Sequence, residues 1–82
     1  MKLLVNVRIP AISEQYDILV PDSVRIRVIT GMIADTVETL SDYRYAASGQ
    51  EQLCSAEKNI LLRSNMTLSQ YGICNGDHLM LI

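Results

Sequence analysis

Apolar and polar positions alternate from the start of the chain. Leu3, Val5, Val7 and Ile9 fall on one side, and Leu4, Asn6 and Arg8 on the other. Period two over seven residues predicts a half-buried strand. Pro10 cannot donate to a sheet ladder and ends it. Ala11 to Glu14 reads as a turn. Tyr16, Ile18 and Val20 then alternate with Asp17 and Leu19, which predicts the second strand of an N-terminal hairpin.

After Pro21-Asp22-Ser23 the period changes. Ile26, Ile29, Ile33, Val37 and Leu40 are spaced by three or four residues, and Val28 and Met32 broaden the stripe. This is one face of an amphipathic helix. Asp22 or Ser23 is a candidate N-cap, although the apolar period itself begins only at Ile26. Gly31 costs a helix about 1 kcal/mol relative to alanine. Close approach to the sheet would justify it, and so would chance.

Ser41 to Gln52 has no clean period and predicts a long loop. Leu53-Cys54-Ser55 and Ile60-Leu61-Leu62 read as short strands around a turn at Ala56 to Asn59. Leu68 and Tyr71-Gly72-Ile73 anchor a compact corner. Asn75-Gly76-Asp77 predicts a tight turn with positive φ at Gly76. Leu79 and Leu81 then alternate with His78, Met80 and Ile82.

The order is strand, strand, helix, strand, short strand, strand. A sheet with one apolar face needs one amphipathic helix to cover it. The expectation is α+β: a β-grasp domain over residues 1–82, with a mixed sheet of four to five strands on one helix. The first and last strands should lie centrally and parallel, and the hairpin and third strand at the edges.

Composition narrows the chemistry. In 82 residues, 49% are hydrophobic and the only aromatics are four tyrosines, so the core must be aliphatic. No window is apolar for the 18 or more residues of a membrane span, so direct membrane insertion is not expected. No signal peptide precedes the first strand, which points to the cytosol. A net charge of −2 argues against nucleic acid. Cys54 and Cys74 have no metal-ligand spacing, and with one histidine the chain falls short of a zinc site. Both read as reduced thiols.

No cofactor motif is present, and no catalytic residue stands out. His78 would need a partner to act as a base. Its neighbour Asp77 would point to the opposite face if both lay in a strand. Cys74 has no adjacent base to activate it. The acidic pairs Asp35/Glu38 and Glu51/Glu57 read as solvated surface.

The C-terminal stretch carries a family resemblance. Leu68-Ser69-Gln70-Tyr71-Gly72-Ile73 resembles the Leu-Ser-Asp-Tyr-Asn-Ile segment of ubiquitin. Cys74-Asn75-Gly76-Asp77 followed by His78-Leu79-Met80-Leu81-Ile82 resembles the YukD/EsaB family more closely. Those are small bacterial ubiquitin-like proteins of type VII (WXG100, ESX-like) secretion systems. The resemblance implies a ubiquitin-like fold and a non-catalytic accessory or regulatory role. It implies a cytoplasmic protein, recruited to the inner face of the membrane through cytosolic parts of the secretion membrane complex. A related domain forms the cytosolic part of a membrane component in the actinobacterial system.

Two other functions compete. A covalent modifier or sulfur carrier needs a flexible Gly-Gly tail, and this sequence has no Gly-Gly pair. An adaptor of an unrelated assembly would share the fold but not the partner. Leu4, Leu19, Met80 and Ile82 are expected on the sheet face away from the helix, where they would form a protein-docking surface. Against that, isolated exposed aliphatics are ordinary, or the loop at 43–52 covers them. A homodimer through this face or the sheet edge is a further reading.

Overall fold

The structure, a computed structural model, describes residues Met1–Ile82. Its elements are β1 (Lys2–Ile9), β2 (Glu14–Pro21), α1 (Ile26–Leu40), β3 (Leu53–Ser55), β4 (Ile60–Leu61) and β5 (His78–Leu81). The sheet order is β2-β1-β5-β3-β4. β1 pairs antiparallel with β2 and parallel with β5, and β3 pairs antiparallel with both β5 and β4. This mixed sheet on one helix is the β-grasp expected from the element order, and so also the fold that the C-terminal resemblance implies. β3, however, lies inside the sheet, because the two-residue β4 takes the edge.

Both alternations hold. Leu3, Val5, Val7 and Ile9 of β1 are buried against α1 with Ile18 and Val20 of β2 and Leu79 and Leu81 of β5. They belong to one cluster of 17 buried apolar residues that also takes in Leu62, Leu68 and Ile73. Register explains the layer: Val5 opposes Ile18, Val7 opposes Leu79, and Leu53 opposes Leu81.

α1 departs from expectation in four respects. Ile26, Ile29, Ile33 and Val37 are buried, but Leu40 is 51% exposed at the helix end. Val28 and Met32 do not widen the buried face; they are exposed, and Thr30 and Ala34 widen it instead. Neither Asp22 nor Ser23 caps the helix. Arg25 is the N-cap residue and makes no side-chain cap bond. The first amides are met from far along the chain: Ile26 N–H donates to Met66 O at 2.8 Å and Arg27 N–H to Ser64 O at 3.0 Å. Asp22 instead pairs with the Met1 ammonium at 3.2 Å. Finally, a Cβ on Gly31 would meet nothing within 4 Å. The glycine does not serve close packing on the sheet.

The turns follow local chemistry. Pro10–Ile12 forms a 3-10 turn closed by Ser13 in the left-handed region. Gly76 has φ +84°, as the Asn-Gly-Asp turn requires.

Candidate protein-docking face

The outward side chains of the sheet define the candidate site. Strand pairing arranges them in rows across it. Leu4 stands opposite Leu19. The next row is Asp17, Asn6 and His78. The row after that is Gln15, Arg8, Met80, Cys54 and Leu61. Ile82 continues beyond Met80 and exchanges two backbone hydrogen bonds with Gln52, at 2.8 and 2.9 Å.

Leu4, Leu19 and Ile82 are 48%, 56% and 55% exposed, so the loop at 43–52 does not cover them. Met80 is half-buried. All four thus face outward as expected, but they do not make one continuous surface. Leu4/Leu19 and Met80/Ile82 form two apolar pairs on either side of the Asp17-Asn6-His78 row. Leu4 and the position opposite Met80 are about 13 Å apart along β1 at 3.3 Å per residue. The Met80 side gains Cys54 and the 52%-exposed Leu61. Beside it lies a hollow of about 100 Å³, lined by Asn6, Arg8, Ala56, His78, Leu79 and Met80.

The polar row is braced. Asn6 Nδ2 donates to Asp17 Oδ1 at 3.1 Å. Glu57, in the β3–β4 turn, clasps His78: its two carboxylate oxygens accept the His78 backbone N–H at 2.9 and 3.0 Å, and Oε2 lies 2.7 Å from Nδ1. The side-chain bond to His78, then the backbone one, holds the Glu57 carboxyl below its usual range. This clasp was not visible in the sequence. The two residues are 21 positions apart, and only the antiparallel β3–β5 register brings them together.

Two further carboxylates, Glu51 and Glu38, also organise structure. Glu51 accepts the N–H groups of Ser48 and Gly49 at 2.6 and 3.0 Å, and the Tyr45 hydroxyl at 2.7 Å. Burial pushes its carboxyl up, but the bonds from Ser48 and Tyr45 outweigh it and bring it down to about 2. Burial, then the bond to Glu51, raises the Tyr45 phenol. Glu38 caps the Ala47 N–H at 2.9 Å. The loop is therefore tied to α1 and to itself. Ser48-x-x-Glu51 around Gly49 is the local signal that could have revealed this claw.

The corner before β5 positions Leu4. Asn75 Oδ1 accepts the Leu4 N–H at 2.8 Å, and the Gly76 N–H donates to Leu4 O at 2.8 Å. Asp77 is not in a strand. Its Oδ2 turns back to accept the Cys74 N–H at 2.9 Å. Cys74 is exposed, its thiol 3.4 Å from Gly72 O, and Cys54 is also free. No three His, Cys, Asp or Glu side chains cluster where they could hold a metal ion. The face offers apolar contact, Arg8 and hydrogen-bond groups. That is the equipment of a binding surface. No helix is long and apolar enough to cross a membrane.

Several solved structures share this architecture. The ubiquitin-like domain of Plasmodium falciparum Dsk2 matches with a TM-score of 0.76 at 13% identity, over 99% of this chain and 96% of that one. The EccD5 ubiquitin-like domain from Mycobacterium xenopi matches at 0.73 and 17% identity, over 100% of this chain and 93% of that one. A chain of the MycP5-free ESX-5 inner membrane complex matches at 0.72 and 18% identity, over 99% of this chain but 20% of that one. At such identities the likeness shows the fold alone. No curated protein matches the chain. The family model described as "WXG100 protein secretion system (Wss), protein YukD" matches residues 4–81, nearly the full length. The chain belongs to the YukD family of ubiquitin-like proteins associated with type VII secretion.

Proposed function

We propose that this chain is a non-catalytic, cytoplasmic accessory component of a WXG100 secretion system that works by non-covalent docking through its open sheet face. Its partners on this reading are cytosolic parts of the secretion membrane complex, which recruit it to the inner membrane face. Family membership supports the setting. The likeness to a domain carried by a chain of an inner membrane complex supports the class of partner.

The observation that carries the docking mechanism is the outer face itself. Leu4, Leu19 and Ile82 are each about half exposed, with Met80 beside Ile82. Two apolar pairs flanking a braced polar row suit a partner that inserts side chains on both sides of a hydrogen-bonded centre. Backbone bonds to Gln52 hold Ile82 beside the face.

The experiment is a paired substitution read by co-purification with the secretion system's membrane ATPase complex from native membranes. The Met80→Ser/Ile82→Ser chain should fold and lose the complex; the Leu4→Ser/Leu19→Ser chain should fold and bind it more weakly. Undiminished capture by both folded variants would remove this face as the docking site. ATP–pyrophosphate exchange with a cognate activating enzyme, proceeding through the terminal carboxylate, would instead make the chain a covalent modifier.

A further inference from the structure

A second concavity lies on the helix side of the sheet. A hollow of about 240 Å³ opens between the first half of α1 and the short strands β3 and β4. Ile26, Leu53 and Leu62 give it an apolar floor, and the 52%-exposed Leu61 stands at its lip. It is smaller than the roughly 300–1,000 Å³ of a small-molecule site. Its size suits one anchoring side chain of another protein.

Gly31 keeps this hollow open. It is mid-helix, where glycine costs about 1 kcal/mol relative to alanine. Its φ is not positive, and an added Cβ would meet nothing within 4 Å. Neither backbone conformation nor internal packing asks for a glycine. Gly31 lines the hollow, however, and so does Gly49. A side chain at position 31 would reach into that space.

The wall of the hollow also carries an unused backbone group. Leu62 N–H donates to Leu53 O at 2.9 Å, but Leu53 N–H does not return the bond to Leu62 O. No other backbone donor reaches that carbonyl. Leu62 is only 4% exposed, and backbone groups at such depth are nearly always bonded. Leu62 O is therefore an acceptor for the N–H of an incoming chain.

Charge says what kind of chain comes in. Arg27 lines the hollow one helical turn before Gly31, and its guanidinium has no ion pair. Arg25 precedes Ile26, and Arg63 stands between Leu62 and Ser64; neither has an ion pair. Three of the seven Lys and Arg residues thus gather beside one hollow, in a chain of net charge −2, and draw negative charge to it. Glu51 also borders the hollow. Its carboxylate is engaged by Ser48, Gly49 and Tyr45.

We propose that this hollow is a second protein-docking site, which takes an extended acidic segment of a partner. One apolar side chain of the segment enters between Ile26 and Leu62, a backbone N–H meets Leu62 O, and a flanking carboxylate pairs with Arg27. The site stands independently of the open face, which lies on the other side of the sheet.

NMR titration of the isotope-labelled chain with a synthetic peptide, one leucine flanked by aspartates, tests this. Saturable shifts of the Gly31, Gly49, Leu53 and Leu62 amides are expected below about 1 mM, the range of one anchor with one ion pair. Replacing the peptide's leucine by serine, or its aspartates by lysines, should abolish them. Arg27→Glu should weaken binding about tenfold, since an attraction becomes a repulsion. Gly31→Leu should weaken it at least as much by filling the hollow, without lowering Tm, because leucine favours a helix over glycine. The Met80→Ser/Ile82→Ser chain should bind the peptide as the parent does. Absence of saturable shifts at about 1 mM overturns the proposal, and so does equal binding of the lysine peptide. Shifts centred on Leu4, Leu19 and Met80 that ignore Gly31→Leu would overturn the hollow and leave the sheet-face reading standing.

Discussion

The two faces of the sheet are built from the same strands under different rules. On the inner face every β1 and β5 position is aliphatic and buried: Leu3, Val5, Val7, Ile9, Leu79 and Leu81. One residue along, the outer face mixes leucines, an amide, an arginine, a histidine and a methionine. Burial dictates the first set, because any polar atom there would lose water without gaining a partner. Nothing in folding dictates the second. Its exposed leucines leave water only when something else arrives, while Asn6 is already paired with Asp17 and His78 with Glu57. The inner face thus records what the fold needs, and the outer face what the fold can offer.

Leu79 and Met80 are adjacent, so they break the comparison most directly. Leu79→Ala should destabilise by about 2–5 kcal/mol, as buried leucines do. The same truncation at Met80 should cost less, since that side chain is only partly buried. Urea unfolding of both variants measures the contrast. Equal losses would mean that the outer face is as much a core as the inner one.

A smaller effect concerns the loop that leads into Gln52 and so to Ile82. Glu51→Gln should cost about 1–2 kcal/mol at neutral pH, because charge-assisted bonds to Ser48 and Tyr45 are weakened. The sign with pH follows from the depressed carboxyl. Glu51 titrates at about 2 in the folded chain against an ordinary 4.5. Its stabilisation is complete above about pH 4.5 and fades as the pH falls toward 2. Unfolding of the parent and the variant at pH 7 and at pH 3 should therefore converge on the acid side.

Glu57→Gln should have the smallest effect. Its clasp on His78 is at the surface, where such pairs contribute little. The Glu57 carboxyl is held low, so what it adds is present at neutral pH and is lost in acid. The expected signature is local: faster exchange of the His78 amide hydrogen at neutral pH, with Tm nearly unchanged. A large fall in Tm would show that the polar row supports the fold as well as dividing the outer face.

Periodicity made the inner face legible. The alternation through Ile9, the spacing of Ile26, Ile29, Ile33 and Val37, and the positive φ at Gly76 are local properties, each written within a few residues. The outward direction of Leu4, Leu19, Met80 and Ile82 followed from the same alternation. Their division into two pairs did not. It depends on Asn6 standing beside both Asp17 and His78, and strand register is a relation between distant segments. The helix start was hidden for a similar reason, since the groups that meet its amides come from residues 64 and 66. Leu40 was misplaced because a helical period shows direction but not where the sheet beneath it ends. Glu51 and Glu57 look like any surface acids until a chain fold brings amides to them.

The position of β5 has a consequence for synthesis. It lies between β1 and β3, so the middle of the sheet is filled by residues 78–81, the last of the strands to leave the ribosome. Until then β1 has a partner on one side only, and the aliphatic layer beneath it is open. The growing chain can form its hairpin early, but the sheet cannot close before residues 78–81 emerge. Closure of the sheet therefore waits for β5 to emerge, and until then the chain exposes a sticky strand edge of the kind that recruits chaperones.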